Sequence, residues 1–277
     1  MSSFDLHCHT TASDGSLEPR ELLDRAIANG VSTLAITDHD TINGYLDIAD
    51  FAKTQDIDLI PAIEWSCTWS KMNIHIVGLN LDVDTPTLQQ GLERQRQART
   101  QRADKIDERL QQRGLPSMLS AAQEQASGGQ IGRVHFAKAM VDQGLVKDMN
   151  QAFKRYLGAG KPGDVKSMWP TLAEVVEWTN VAGGIAVIAH PNKYNLTRSK
   201  LRRLITDFKE VGGRGMEAVS GNERSLDIAY LGKLCNEFGL LASCGSDFHS
   251  PKQAWLDLGK IPDMPEGVTP VWHGWSR

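Results

Sequence analysis

Short apolar runs that alternate with helical-period segments constrain this chain more than any other feature. Seven runs read as strands: Phe4–Leu6, Thr33–Thr37, Leu59–Ile63, Ile74–Leu79, Ile185–Ala189, Gly215–Val219 and Leu240–Cys244. Between most of them lie helix candidates at Pro19–Asn29, Ile42–Thr54, Leu172–Val181, Leu201–Val211 and Leu226–Phe238. Glycine closes several of these, at Gly30, Gly183-Gly184 and Gly212-Gly213. The alternation predicts an α/β protein with a parallel sheet, open or closed, because each crossover helix returns the chain to the same sheet end. A length of 277 residues suits one α/β barrel of about 250 residues with a modest insertion.

The alternation breaks between Thr85 and Lys166. A long charged helix runs to Arg113, followed by short helices punctuated by Gly128-Gly129, Gly144 and Gly158-Ala159-Gly160. This predicts a barrel domain built from residues 1–113 and 167–277, with a small helical insertion at 114–166 capping its mouth. The charge follows the same division. From Arg94 to Lys166 there are 14 Lys and Arg against 7 Asp and Glu, while the remainder holds 16 against 27. An acidic body with a basic insertion suits metal cations in one part and an anionic substrate facing the other. A solvated basic helix would account for Arg94 to Arg113 alone. The net charge of −4 argues against a bulk nucleic-acid coat protein.

No run reaches the ~18 apolar residues of a membrane span, and the N-terminus lacks the basic and apolar regions of a signal peptide. Four cysteines (Cys8, Cys67, Cys235, Cys244) form no CxxC pair. The expectation is a reduced, cytoplasmic protein with no membrane association and no obligate protein partner.

The chemistry lies where the strand candidates end. His7-Cys8-His9 ends the first, Asp38-His39-Asp40 the second, Glu64 the third and His190 the fifth, while Asp247-Phe248-His249 follows the last. In parallel β/α folds these ends meet on one side of the sheet, however distant in sequence. Side chains two apart on a strand share a face, so His7 and His9 point inward together and Cys8 points to the wall. His75 begins its run, but an antiparallel hairpin through Trp65–Lys71 would bring it to the same rim. One His-x-His is readily a packed pair; the coincidence at five strand ends points to metal. Imidazole with carboxylate suits Mn²⁺, Zn²⁺ or Fe²⁺ better than Mg²⁺ or Ca²⁺, and the ligands exceed what one tetrahedral ion needs, implying two or three ions. Asp38 and Asp40 could accept from histidine N–H groups, although Asp40 reads better as the N-cap of the helix beginning near Ile42.

His7-Cys8-His9 with Thr10, Ser13, Asp14 and Gly15, then Thr37-Asp38-His39-Asp40, Glu64, His75, Ala189-His190-Pro191 and Gly245-Ser246-Asp247-Phe248-His249, resemble the PHP (polymerase and histidinol phosphatase) superfamily. The motifs span residues 7 to 249, and their combination in order is highly specific. Gly132-Arg133-Val134-His135-Phe136-Ala137 resembles the branch containing RNase AM and the 3′,5′-nucleoside bisphosphate phosphatases. The resemblance implies a distorted (β/α)7 barrel. It also implies one ion held by His7, His9, Glu64 and Asp247, a second by Glu64, His75 and His190, and a third by Asp14, His39 and His249. Many relatives carry a histidine where this chain has Asp14, a carboxylate that remains a competent ligand.

Such a centre fits phosphate-ester hydrolysis, with Glu64 bridging ions and Asp247 or His249 handling the proton. Arg133 can grip a phosphate with two parallel hydrogen bonds, His135 can add a third, and Lys161 is a weaker candidate in what reads as a return linker. Trp65, Trp69 and Trp169 could stack on a base or pack internally. The implied substrates are 3′,5′-bisphosphonucleotides such as pAp, losing the 3′-phosphate to give AMP, and short 5′-phosphorylated oligonucleotides cleaved 5′ to 3′. Histidinol phosphate hydrolysis and a non-catalytic metal-bearing module are the rival readings.

Overall fold

Backbone pairing divides the strands of the computed structural model, which describes residues 3–165, 168–253 and 255–275, between two sheets. The first holds β1 (Phe4–Cys8), β2 (Thr33–Ile36) and β3 (Asp58–Ile60), all parallel. The second has the order β4 (Ala62–Trp69), β5 (Met72–Leu79), β6 (Ile185–Ile188), β7 (Gly215–Ser220) and β8 (Leu241–Gly245). Its β4–β5 and β5–β6 pairs are antiparallel, and β6–β7 and β7–β8 are parallel.

The α/β class therefore holds, while two details of the sequence reading change. Eight strands replace seven, the sheets are partly antiparallel, and no closed barrel ladder forms among the described residues. The split falls at Pro61. The predicted strand Leu59–Ile63 breaks there, so Leu59 pairs with Leu34 in one sheet and Ala62 with Leu79 in the other. Proline offers no N–H to a ladder, which makes it a natural division point. Single parallel bridges, Cys8–Phe248 and His39–Glu64, link the two sheets beside residues of the candidate site. Close approach of β1 to β8 requires Gly245, because a Cβ there would fall 2.3 Å from the His7 Cβ.

Helices α1 (Pro19–Ala28), α2 (Asn43–Leu46) and α3 (Ala49–Ala52) follow the first strands. The single helix expected over Ile42–Thr54 is two short ones, separated where buried Ile48 leaves helical geometry at φ −127°. Helix α4 (Pro86–Gln111) buries Leu88, Gly91, Gln95, Arg99, Arg102, Ile106 and Leu110, a stripe at helical spacing. Its first half packs on the main core, where the Trp178 ring lies too close to Gly91 to admit a Cβ. Its second half joins α5 (Leu119–Ala126), α6 (Arg133–Asp142) and α7 (Met149–Ala152) around a separate cluster that includes Met118, Phe136, Met140 and Leu157. The stretch is thus more than a solvated basic helix. The expected insertion boundary at Lys166 lies outside the described residues.

Helices α8 (Leu172–Val181), α9 (Arg198–Glu210) and α10 (Ser225–Phe238) cover the second sheet. The tail also pairs with the structure. Val271 N–H donates to Ala242 O at 2.8 Å, and Trp272 stacks on Phe4 with ring centroids 4.0 Å apart, at the start of β1. No helix among the described residues is long and apolar enough to cross a membrane.

Candidate metal centre

The structure brings together all nine residues expected as ligands: His7, His9, Asp14, His39, Glu64, His75, His190, Asp247 and His249. Glu64, buried in β4, is their hub. Its Oε1 lies 2.9 Å from both His75 Nδ1 and His190 Nε2; its Oε2 lies 3.0 Å from His39 Nδ1 and 3.3 Å from His7 and His9 Nε2. The hairpin turning at Ser70-Lys71, both at positive φ, sets His75 opposite Ser66 and delivers it to this rim. Asp247 Oδ1 stands 3.3 Å from His9 Nε2, and Asp14 Oδ1 stands 3.3 Å from His249 Nε2.

Donor atoms within 4.8 Å of one another form four groups. These are His9, Asp14, His39 and His249; His7, Glu64 and His190; His7, His9 and Asp247; and His39, Glu64 and His75. Glu64 Oε2, His39 Nδ1, His190 Nδ1 and Asp14 Oδ1 are buried without a hydrogen bond of acceptable geometry. Orphaned acceptors at such density are costly unless a cation completes them. The donor set of imidazole nitrogen and carboxylate oxygen fits divalent transition metals.

The electrostatics of the cluster are those of a cation-seeking site. Burial opposes protonation of His7, but Glu217, Glu64 and Asp247 outweigh it and hold its pKa well above the usual value. Burial likewise opposes His9, yet hydrogen bonds to Asp247 and Glu64 raise it to about 10. Glu64 and Asp247 are held well below ordinary carboxylate values despite burial, by His39, His7 and His75 for the first and by His7, His9 and Lys193 for the second. Burial pushes His39 well down, against Glu64 and Asp14.

Strand-end turns aim these groups. His190 (φ 29°), Asp247 (φ 53°) and Asp40 (φ 57°) adopt the left-handed region, strained for non-glycine residues and a common mark of functional sites. Asp5 helps to hold the Asp247 turn, accepting from Ser246 N at 2.8 Å and Gly259 N at 2.9 Å.

The surrounding carboxylates do other work than expected. Asp40 is not a helix N-cap: it accepts from Ser66 N at 2.6 Å and pairs with the buried Arg99 at 2.5 Å, tying α4 to the site. Asp38 bonds no histidine; it accepts from Thr10 and Ser13, whose hydroxyl lies 3.5 Å from His9 Nδ1. Sequence reading missed Glu217 on β7, whose carboxylate faces His7, and Lys193, whose ammonium pairs with Asp247. A lone acid within the otherwise apolar Gly215–Ser220 run was the available signal for Glu217. Lys193 carried none.

The expected substrate contacts divide. His135 is buried: its Nδ1 accepts from Gly132 N at 3.0 Å, and burial lowers its pKa to about 4. With both ends of the ring engaged, the second by a backbone bond to Ser13, it fastens the insertion to the Thr10–Gly15 loop instead of offering a donor. Gln130 N–H on Ala12 O at 2.9 Å closes the same contact. Arg133 is a third exposed, with one N–H on Leu157 O at 2.9 Å. Lys161 lines a separate depression with Lys147, Lys154 and Arg155 and is not brought to the cluster. Trp65 and Trp69 donate to Thr179 and Asp207, and Trp169 lies beneath Arg99 and Arg102. Beside the cluster opens a cleft of about 990 Å³, lined by Asp14, Asp247 and His249 together with Lys138, Lys193 and Lys252.

A strand-end histidine and carboxylate cluster with this order of motifs defines a family, and the chain belongs to it: the PHP domain model matches residues 5–165. Among full-length relatives, the chain is 44% identical over 270 residues, 98% of each protein, to a 5′-3′ exoribonuclease of Haemophilus influenzae. It is 40% identical over 274 residues, 99% of this chain and 96% of the relative, to a 3′,5′-nucleoside bisphosphate phosphatase of Chromobacterium violaceum. A solved amidohydrolase from Chromobacterium violaceum, with bound sulfate and no metal, superposes with a TM-score of 0.91 at 39% identity, covering 98% of this chain and 95% of that one.

Proposed function

We propose that this chain is a metal-dependent phosphoesterase that removes the 3′-phosphate from 3′,5′-bisphosphonucleotides and degrades short 5′-phosphorylated oligonucleotides from the 5′ end. The observation that carries this reading is Glu64 at the hub of five imidazoles, at the edge of a cleft lined by three lysines. Similarity along almost the whole chain to relatives bearing those two activities in their names supports the substrate class.

In this proposal His7, His9, Glu64 and Asp247 hold one ion, Glu64, His75 and His190 a second, and Asp14, His39 and His249 a third. Mn²⁺ is the proposed metal, since imidazole and carboxylate donors suit it. The measured grouping adds His9 to the third set and sets His7 beside Glu64 and His190. When bound, such ions polarise a phosphoryl oxygen and make water acidic enough to react near neutral pH.

The chain's own groups supply orientation and proton handling. His249 Nδ1 lies 2.9 Å from the Asp247 carbonyl, which directs its Nε2 into the cluster. Asp247 and His249, both lining the cleft, hold the proton of the nucleophile or leaving group. Arg133 and Lys138 bind the second phosphate from α6. Lys161 has no part in this site. The finer fold reading, a distorted (β/α)7 barrel capped by 114–166, is supported by the two inter-sheet bridges and the separate helical core, and the cytoplasm is the proposed location.

Phosphate release with Mn²⁺ from pAp, 3′-AMP, 5′-AMP, histidinol phosphate and a 5′-phosphorylated trinucleotide tests the proposal. The bisphosphate should be turned over far better than either monophosphate. Equal or better turnover of histidinol phosphate would overturn the substrate class.

A further inference from the structure

The same cleft contains groups that neither metal binding nor phosphate binding uses. Trp255 lines it with 71% of its surface exposed, although a large aromatic ring gains by leaving water. It stands six residues after His249, in a loop held by Gln253 N on Ser250 O and Leu256 N on Gln253 O, both at 3.1 Å. The indole is therefore tethered to the metal rim. The other wall presents acceptors without donors: Glu223 Oε2, Ser220 Oγ and Gln253 Oε1 are buried atoms with no hydrogen-bond partner, and all three residues line this cleft. Glu223 uses only its Oε1, accepting from Asn192 Nδ2 at 3.0 Å. Burial pushes its carboxyl up to about 7, as befits an acid short of donors.

A flat apolar face opposite unsatisfied acceptors, beside lysines, is complementary to a nucleoside: a π-surface rimmed by N–H and O–H donors and joined to phosphate. We propose that this cleft is the nucleoside subsite, where Trp255 stacks on the base and Glu223 accepts a hydrogen bond from an N–H or O–H of the nucleoside. The inference rests on the proposed phosphoesterase reading and identifies what positions the substrate's non-reacting part. Trp65, Trp69 and Trp169 do not line the cleft and are released from that role.

Calorimetric affinity of metal-free protein for 5′-AMP and for ribose 5-phosphate tests the subsite without turnover. Trp255→Ala should weaken 5′-AMP by roughly 10- to 100-fold more than it weakens ribose 5-phosphate, the scale of one base stack, and Trp255→Phe should restore most of it. Glu223→Leu should weaken 5′-AMP by about 10-fold. Equal losses on both ligands, or none, would overturn the subsite. Failure of the phosphoesterase reading is a separate result: metal-loaded wild-type protein would release no phosphate from pAp, whatever its affinity for 5′-AMP.

Discussion

Glu217 places one carboxylate oxygen 2.6 Å from His7 Nδ1 and the other 2.5 Å from the backbone nitrogen of His190. One side chain on β7 thus orients two members of the cluster that lie far apart in sequence. It turns the His7 Nε2 toward Glu64 and fixes the strained His190 turn. A carboxylate partner also raises the basicity of a ligating imidazole. Glu217→Gln keeps one acceptor but sets an amide N–H against one of two donors. Metal affinity should fall about 10- to 100-fold in a folded protein, read by metal titration with a parallel melting curve. Wild-type affinity would remove Glu217 from this role.

Arg99 and Asp40 are both buried and pair at 2.5 Å. Removing one partner leaves the other charge in a dry environment. Arg99→Met should cost about 3–5 kcal/mol in urea unfolding, and adding Asp40→Asn should recover much of it. If the single and double variants are equally unstable, the pair is not what couples α4 to the site.

The metal-free protein should lose stability as pH rises above about 6.5. His9 is raised to about 10 and His7 well above its usual value, so both stabilise the fold fully below the unfolded imidazole pKa of about 6.5. That contribution fades as pH climbs through the folded values. His39 is shifted the other way, but its penalty acts only below about pH 6.5. Melting temperatures in chelator should therefore decline from pH 6.5 to 10. Mn²⁺ should abolish the decline, because an ion takes the nitrogen the proton leaves. A melting temperature that climbs over that range in chelator contradicts the assignment.

Arg133 offers the insertion's most accessible guanidinium near α6, with only one N–H committed to Leu157. Arg133→Ala should raise KM for pAp roughly 10- to 100-fold, the scale of one charge-assisted contact, while an aryl monophosphate loses less. Equal losses on the two substrates would exclude a clamp on the second phosphate.

The reach of sequence reading follows the range of the forces involved. The α/β class, most strand and helix positions and the meeting of nine histidines and carboxylates were legible, because strand alternation and the placement of polar residues at strand ends are local properties. His7 and His9 flank Cys8 on a period of two, and that alone turns both imidazoles inward. What tertiary structure decided is which atoms meet across elements. Pro61 marks a break in any strand, but only pairing with Leu34 and Leu79 assigns its two sides to different sheets. Glu217 beneath His7, Arg99 on Asp40, His135 turned to its own backbone and Trp255 facing the acceptors of Glu223 and Gln253 all depend on register and packing between distant segments. Periodicity encodes the face a side chain occupies, whereas its partner is chosen by the three-dimensional closure that satisfies buried polar groups.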